Sequence, residues 1–205
     1  MNPRRGGPRP AARTQAERTE ATRTALIAAA RPLFAKRGYA AVGTEEIVRA
    51  AGLTRGALYH QFGGKRGLFE AVYTYMEHQL AEQIGSEVAG ASGPLQAMQI
   101  GIEKFLDACL EPEVQQILLL DAPAVLGWER WREIGTEAGL GLIEATLKAA
   151  IDAGELKPQP VRPLAHVVMG ALDEAAMFVA RADDAVNARA EVAGTLASLL
   201  DGLRP

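Results

Sequence analysis

The segment Thr44 to Phe62, TEEIVRAAG followed by LTRGALYHQF, constrains the fold of this chain more than any other. It reads as two short helices joined by a tight turn. In the first helix Ile47, Val48 and Ala51 share one face, and Glu45 and Glu46 suit the positive end of the helix dipole. Thr44 is placed to cap that helix, and Gly52 has the backbone freedom with which helices end. Thr54 is placed to cap the second helix, whose Leu58 and Phe62 lie one turn apart and face inward. Arg55, Gly56, Tyr59, His60 and Gln61 then face outward. This is the layout of a helix-turn-helix, whose second helix enters a DNA major groove.

The outward residues fit that task. Arg55 stands at the start of the second helix, where its planar fork can pair with a guanine edge or grip a phosphate. Gly56 costs about 1 kcal/mol in helix propensity against alanine, a cost that close approach to the groove floor offsets. Tyr59 and His60 carry polar tips that reach phosphate oxygens, and the hydroxyls and helix-start amides at Thr44 and Thr54 do the same. Lys65 is placed to pin the DNA backbone beyond the motif. Capped helix pairs also occur in proteins that touch no DNA, with Tyr59 a half-buried ring and His60 an ordinary surface residue. Charge argues against that reading. Residues 1–66 hold 13 basic and 4 acidic side chains, net +9, whereas residues 67–205 hold 9 and 21, net −12. The whole-chain value of −3 hides this polarity. A basic module gains affinity by releasing counterions from the phosphate backbone.

From Ala25 to Tyr73 the chain resembles the N-terminal domain of the tetracycline-repressor (TetR) family. The resemblance rests on a helix ending in LFAKRGY, on Thr44 opening the next helix, on the segment AAGLTRGALYHQF, and on Lys65 starting a long connecting helix. It covers about 50 contiguous residues. One departure is Gly63-Gly64, where many relatives carry a polar residue before the lysine. The resemblance implies a homodimeric transcriptional regulator whose C-terminal domain binds a small-molecule effector. It places Thr44, Thr54, Tyr59, His60 and Lys65 at phosphate-contacting positions, and Arg55 and Gly56 at base-facing ones. A weaker likeness to some actinobacterial-type members lies in LLLDAPAVLGWERW, Leu118 to Trp131.

The rest of the chain reads as helix, giving an all-α protein of about nine helices. A flexible basic arm is expected over residues 1–13, a helix-turn-helix DNA-binding domain over 14–64, and a helical effector-binding and dimerisation bundle over 65–205. The arm, rich in Pro, Gly and Arg, is either a plain tail or an element that follows phosphates or enters the minor groove. A first helix is expected from about Thr14 to Arg37, closed by Gly38, and a long one from Lys65 to about Val88. Further helices are expected at about Pro94–Leu110, in a short stretch punctuated by Pro112 and Pro123, and at about Trp128–Ala153, Pro163–Arg181 and Asp184–Leu203. No uninterrupted run of 18 apolar residues occurs, and the basic N-terminus lacks an apolar signal core. The single cysteine, Cys109, sits among Phe105, Leu106 and Leu110 and reads as a buried, inert thiol. A cytoplasmic location is expected, with no cofactor and no metal.

The last two helices are apolar over more of their circumference than one neighbour can cover. Val167, Val168, Gly170, Ala171, Ala175, Ala176, Phe178 and Val179 mark the first; Val192, Thr195, Leu196, Leu199 and Leu200 mark the second. Packing within one chain is one account; a four-helix bundle across a two-fold axis is the better one, since it presents two recognition helices about one DNA turn apart. Candidate pocket residues are Met98, Ile102, Phe105, Leu119, Val125, Trp128, Trp131, Met169, Leu172 and Phe178, with Asp121, His166, Asp173 or Glu174 as polar anchors. Each is also an ordinary core residue in form. Asp173 and Glu174 stand out because a carboxylate inside an apolar helix needs a partner.

Two other functions bear weighing. A non-specific DNA-coating protein would have little use for a large acidic C-terminal part. An enzyme finds no support in the dispersed histidines (His60, His78, His166), and HExxH, GxSxG and a phosphate-binding glycine loop are absent. The expected function is a sequence-specific regulator, a repressor released from a palindromic DNA operator by an effector.

Overall fold

The computed structural model describes residues 14–205, so the proposed arm at 1–13 lies outside the described residues. Among the described residues the chain forms nine helices: α1 (Gln15–Ala41), α2 (Thr44–Ala51), α3 (Arg55–Phe62), α4 (Lys65–Val88), α5 (Pro94–Ala108), α6, α7 (Trp128–Asp152), α8 (Val161–Arg181) and α9 (Ala185–Asp201). Helix α6 is one rod of three pieces: an α turn Pro112–Val114, a π-helical stretch Gln115–Asp121, and a second α segment Ala122–Leu126.

Thr14 and Glu17 close the start of α1 with a reciprocal capping box. Regular helix is interrupted at Gly38 (φ 73°, ψ 160°), as its place at the end of LFAKRG implied, and one further turn follows to Ala41. Helices α1–α3 and the first turns of α4 enclose Leu26, Phe34, Ile47, Leu58, Leu68 and Phe69, all fully buried. The rings of Phe34 and Tyr39 both meet Phe69 edge-on, at centroid distances of 5.2 and 5.0 Å, which joins α1 to α4. The same core continues through Ile117 and Leu118 of α6 to Ile134 and Val179. A second core, built on Leu95, Ile102, Leu106, Leu147, Leu172 and Leu196, holds α5, α7, α8 and α9 together.

The π stretch explains how Pro112 and Pro123 sit in one continuous rod rather than bounding a separate short helix. The amide of Ala122 donates to the Ile117 carbonyl, five residues back. The next donor in that ladder falls on Pro123, which has no N–H. Its acceptor, the Leu118 carbonyl, instead receives the indole Nε1–H of Trp131 at 2.9 Å.

Helix α8 is long and apolar enough by composition to cross a membrane, with a mean hydropathy of 1.3. It is a bundle helix: Ala165, Leu172, Ala176 and Val179 are buried against its neighbours, and Asp173 is paired with Arg132 of α7.

Candidate DNA interface and ligand cavity

The turn between α2 and α3 forms as the sequence implied. Gly52 is left-handed (φ 65°), and the amide of Leu53 reaches back to the Val48 carbonyl at 2.9 Å. Thr54 caps α3 by accepting from the Ala57 amide at 3.2 Å. Leu58 is fully buried and Phe62 half-buried beneath the Arg23 guanidinium, 4.6 Å from the ring centre. Thr54, Arg55, Gly56, Tyr59 and His60 are all exposed on one side of α3. Arg55 lies over the Tyr59 ring (5.3 Å) and within 3.5 Å of Glu45, so its fork is held beside the face it would present to DNA. A Cβ on Gly56 would meet nothing nearer than 3.8 Å, so no packing within the chain demands glycine there.

Two expectations change. Gly43, not Thr44, is the N-cap of α2; Thr44 is its first helical residue and makes no capping bond. The sequence offers Thr as the better capping side chain, but the extended backbone falls one residue earlier. The start of α2 thus carries no side-chain cap, and uncapped amides at a helix start suit an anion. Lys65 is not a free cation beyond the motif. Its ammonium donates to the carbonyls of Tyr39 (2.8 Å) and Val42 (2.9 Å) and lies over the Tyr39 ring. It fastens the start of α4 to the end of α1, and so positions the motif from behind.

Sequence reasoning missed Gly67. In the first turn of α4, a Cβ at this position would stand 2.0 Å from the Phe62 carbonyl oxygen. The end of α3 therefore rests directly on the α4 backbone. The left-handed Gly63 (φ 71°) and Gly64 (φ 138°) make the sharp turn that brings the two together.

A cavity of about 110 Å³ lies between α4, α5, α6, α7 and α8. Among the candidate pocket residues, Met98, Ile102, Phe105, Trp131, Met169 and Asp173 line it. Asp121, His166, Phe178 and Trp128 do not. Asp121 is at the far end of the π stretch, where its carboxylate accepts the Tyr39 amide at 2.7 Å. His166 and Phe178 are on the outer side of α8, and Trp128 is more than half exposed. The two tryptophans do share a face, with ring centres 4.8 Å apart, but only Trp131 is inside. Leu119 and Leu172 also line the cavity, whereas Val125 and Glu174 do not.

The cavity wall also includes a carboxyl group from α4. Glu77 lies between Tyr73 and Leu80 on the inward stripe of that helix. Burial pushes its carboxyl up to about 7, with the nearby Asp173 carboxylate adding to the rise against an opposing contribution from the Tyr73 hydroxyl. Tyr73 donates to the Trp131 carbonyl at 2.9 Å. Asp173 is raised by burial and drawn back by Arg132, its partner in an ion pair. Cys109 is buried, and its thiol is pushed up to about 12 by desolvation, then by Glu77.

The cavity and the motif share a structural element. Leu118 and Leu119 of the π stretch face the cavity, and Trp131 both lines it and bonds to Leu118. The same rod holds the N-terminal helices through Asp121 to Tyr39, through a two-pronged bond from Arg31 to Glu113 (2.8 Å each), and through Arg66 to the carbonyls of Val125 and Leu126.

An exposed recognition helix on a three-helix module, followed by a helical bundle with an internal cavity, defines a helix-turn-helix regulator. Comparison with known proteins gives its family. Residues 26–72 match the model of bacterial regulatory proteins of the tetR family, and residues 95–203 match the tetracyclin repressor-like C-terminal domain. The chain belongs to the TetR family of DNA-binding transcriptional regulators. It is 30% identical over 173 residues to an uncharacterised helix-turn-helix-type regulator of Mycobacterium tuberculosis, covering 82% of this chain and 80% of that one. A TetR-family regulator from Pectobacterium atrosepticum is 33% identical in sequence, with a TM-score of 0.83 over 94% of this chain and 98% of that one. RolR, solved in complex with resorcinol, shares the fold at 20% identity, with a TM-score of 0.73 over 93% of this chain and 97% of that one. The family is one of regulators rather than enzymes.

Proposed function

We propose that this chain is a homodimeric repressor that reads a palindromic operator with α3 and is released from it by a small molecule bound in the cavity. The observation that carries the reading is the exposed face of Arg55, Gly56, Tyr59 and His60 on a helix buttressed by Leu58, Gly67 and Lys65. In this reading Arg55 and Gly56 face bases. Thr44, Thr54, Tyr59 and His60 hold phosphates, and Lys65 acts through its grip on α1 rather than by touching DNA. Residues 14–64 serve DNA binding and 65–205 serve effector binding and dimerisation, in the cytoplasm where the operator is.

Helices α8 and α9 are the proposed dimer interface. Val167, Phe178, Val186 and Leu199 are each more than half exposed, an apolar surface that a second copy would cover. Release follows if the occupied cavity moves the π rod, because the rod also holds Tyr39, Arg31 and Arg66. The effector must prefer the pose whose two α3 helices no longer match successive major grooves. RolR, which shares the fold, is solved with resorcinol, and the cavity here suits a ligand of comparably small size.

A gel-shift assay with fragments from the protein's own promoter region tests this, alongside sedimentation to determine the oligomer. A dimer that holds one fragment far more tightly than a scrambled control at physiological salt is expected. Equal binding of every fragment would refute sequence-specific recognition.

A further inference from the structure

We infer that the cavity is built for a compact organic cation: an ammonium group on a mainly apolar body, seated between Glu77 and the rings of Tyr73, Phe105 and Trp131. This deepens the proposed function and rests on the cavity being the effector site.

Three charged side chains line the cavity, Glu77, Arg132 and Asp173. Arg132 and Asp173 are paired with one another and cancel. Glu77 has no basic partner among the described residues, and its side chain is half-buried in the cavity wall. Its neighbours are Tyr73 on α4, Cys109 at the end of α5, Arg132 on α7 and Asp173 on α8. None of these supplies a free positive charge: Tyr73 and Cys109 are neutral, and the Arg132 charge is balanced by Asp173. A carboxylate taken out of water without a counter-charge is costly, so Glu77 favours the protonated acid until a cation is beside it.

A ligand ammonium supplies the missing charge. Three aromatic rings line the same cavity, and aromatic rings attract ammonium groups. An anion would meet two carboxyl groups, Glu77 and Asp173, beside an Arg132 whose charge Asp173 already balances. A neutral ligand would fill the space but leave the Glu77 charge uncompensated. The remaining wall, with Ile102 and Met98 among its residues, takes an apolar body of roughly single-ring size.

Binding then has a balanced proton count. The Glu77 carboxylic acid loses its proton to solvent, and the resulting carboxylate pairs with the incoming cation. With the acid held up to about 7, affinity for the cation rises with pH toward that value and levels off above it.

The test is calorimetric titration of the full chain with three single-ring probes of similar shape: benzylammonium, benzyl alcohol and benzoate. Benzylammonium is expected to bind about tenfold or more tighter than benzyl alcohol, with benzoate weakest. In buffers of different ionisation heat, benzylammonium should release up to about one proton at about pH 6 and much less at about pH 8. Glu77→Gln should bring the cation and the alcohol within about twofold of each other and abolish the proton release. The inference is overturned if none of the three probes binds, if the alcohol or benzoate matches the cation, if no proton is released, or if the preference survives Glu77→Gln. Should that variant fail to fold, the ranking and proton count of the unaltered protein decide. A gel shift in the presence of each probe is read separately. Cation preference without DNA release contradicts the regulatory reading alone, and DNA release by the neutral or anionic probe contradicts the inference alone.

Discussion

Two glycines on α4 should respond in opposite directions to the same substitution. A Cβ at Gly67 would sit 2.0 Å from the Phe62 carbonyl oxygen, whereas a Cβ at Gly85 would meet nothing within 4 Å. Alanine gains about 1 kcal/mol over glycine in a helix interior, and that gain is all that Gly85→Ala should show. At Gly67 the atom opposite is backbone, which cannot swing aside, so α3 and α4 must separate by about 1 Å to restore ordinary contact. Overpacking of this kind costs about 1–3 kcal/mol, and a rigid backbone places this site at the upper end. After subtracting the helix gain, Gly67→Ala should destabilise by about 2 kcal/mol, leaving the two variants about 3 kcal/mol apart. Denaturant unfolding at matched protein concentration measures the difference. Because the displaced atoms carry the end of α3, operator affinity should also fall in Gly67→Ala while Gly85→Ala binds normally. If Gly67→Ala is as stable as Gly85→Ala, the close α3–α4 approach is wrong.

Other variants probe separate parts of the account. Arg55→Ala should weaken specific binding by about 1–3 kcal/mol and relax preference at one base, read by competition among single-base operator variants. Asp121→Ala leaves the Tyr39 amide without its acceptor. It should cost about 1–3 kcal/mol and hasten hydrogen exchange at that amide, whereas unchanged protection would rule out the clasp between α6 and α1. Glu77 gives a pH signature of definite sign. Its acid is held up to about 7 in the fold against 4.5 for the unperturbed group, so the folded state retains a proton that the unfolded chain releases. Its stabilising contribution is therefore full below about 4.5 and is lost as pH rises to about 7. Asp173 shifts in the same direction, so the stability difference between the unaltered protein and Glu77→Gln isolates the effect.

Local chemistry made the recognition module legible in the sequence. The Thr54 cap, the Gly52 turn and the buried Leu58 each depend on neighbours within a few residues. Contacts between distant segments were not legible. Lys65 reads as a phosphate ligand until the fold brings the Tyr39 and Val42 carbonyls to its ammonium from 26 and 23 residues away. Asp121 reads as a pocket anchor until the π turn carries it past the cavity to the Tyr39 amide. Gly67 gives no local sign of the carbonyl it makes room for. Glu77 did leave a trace: it falls four residues after Tyr73 and three before Leu80, an acid on an otherwise apolar stripe. On the outer side of α8, Phe178 was indistinguishable by composition from a pocket residue, because an apolar ring serves a dimer face or a cavity equally well.

In-vitro selection of bound sequences from random duplex DNA, using the full chain at physiological salt, tests the central claim most directly. The account predicts an inverted repeat whose half-sites are centred about one helical turn apart, with a base position that loses its preference in Arg55→Ala. Recovery of unrelated sequences, or of a motif that Arg55→Ala leaves unchanged, would contradict it.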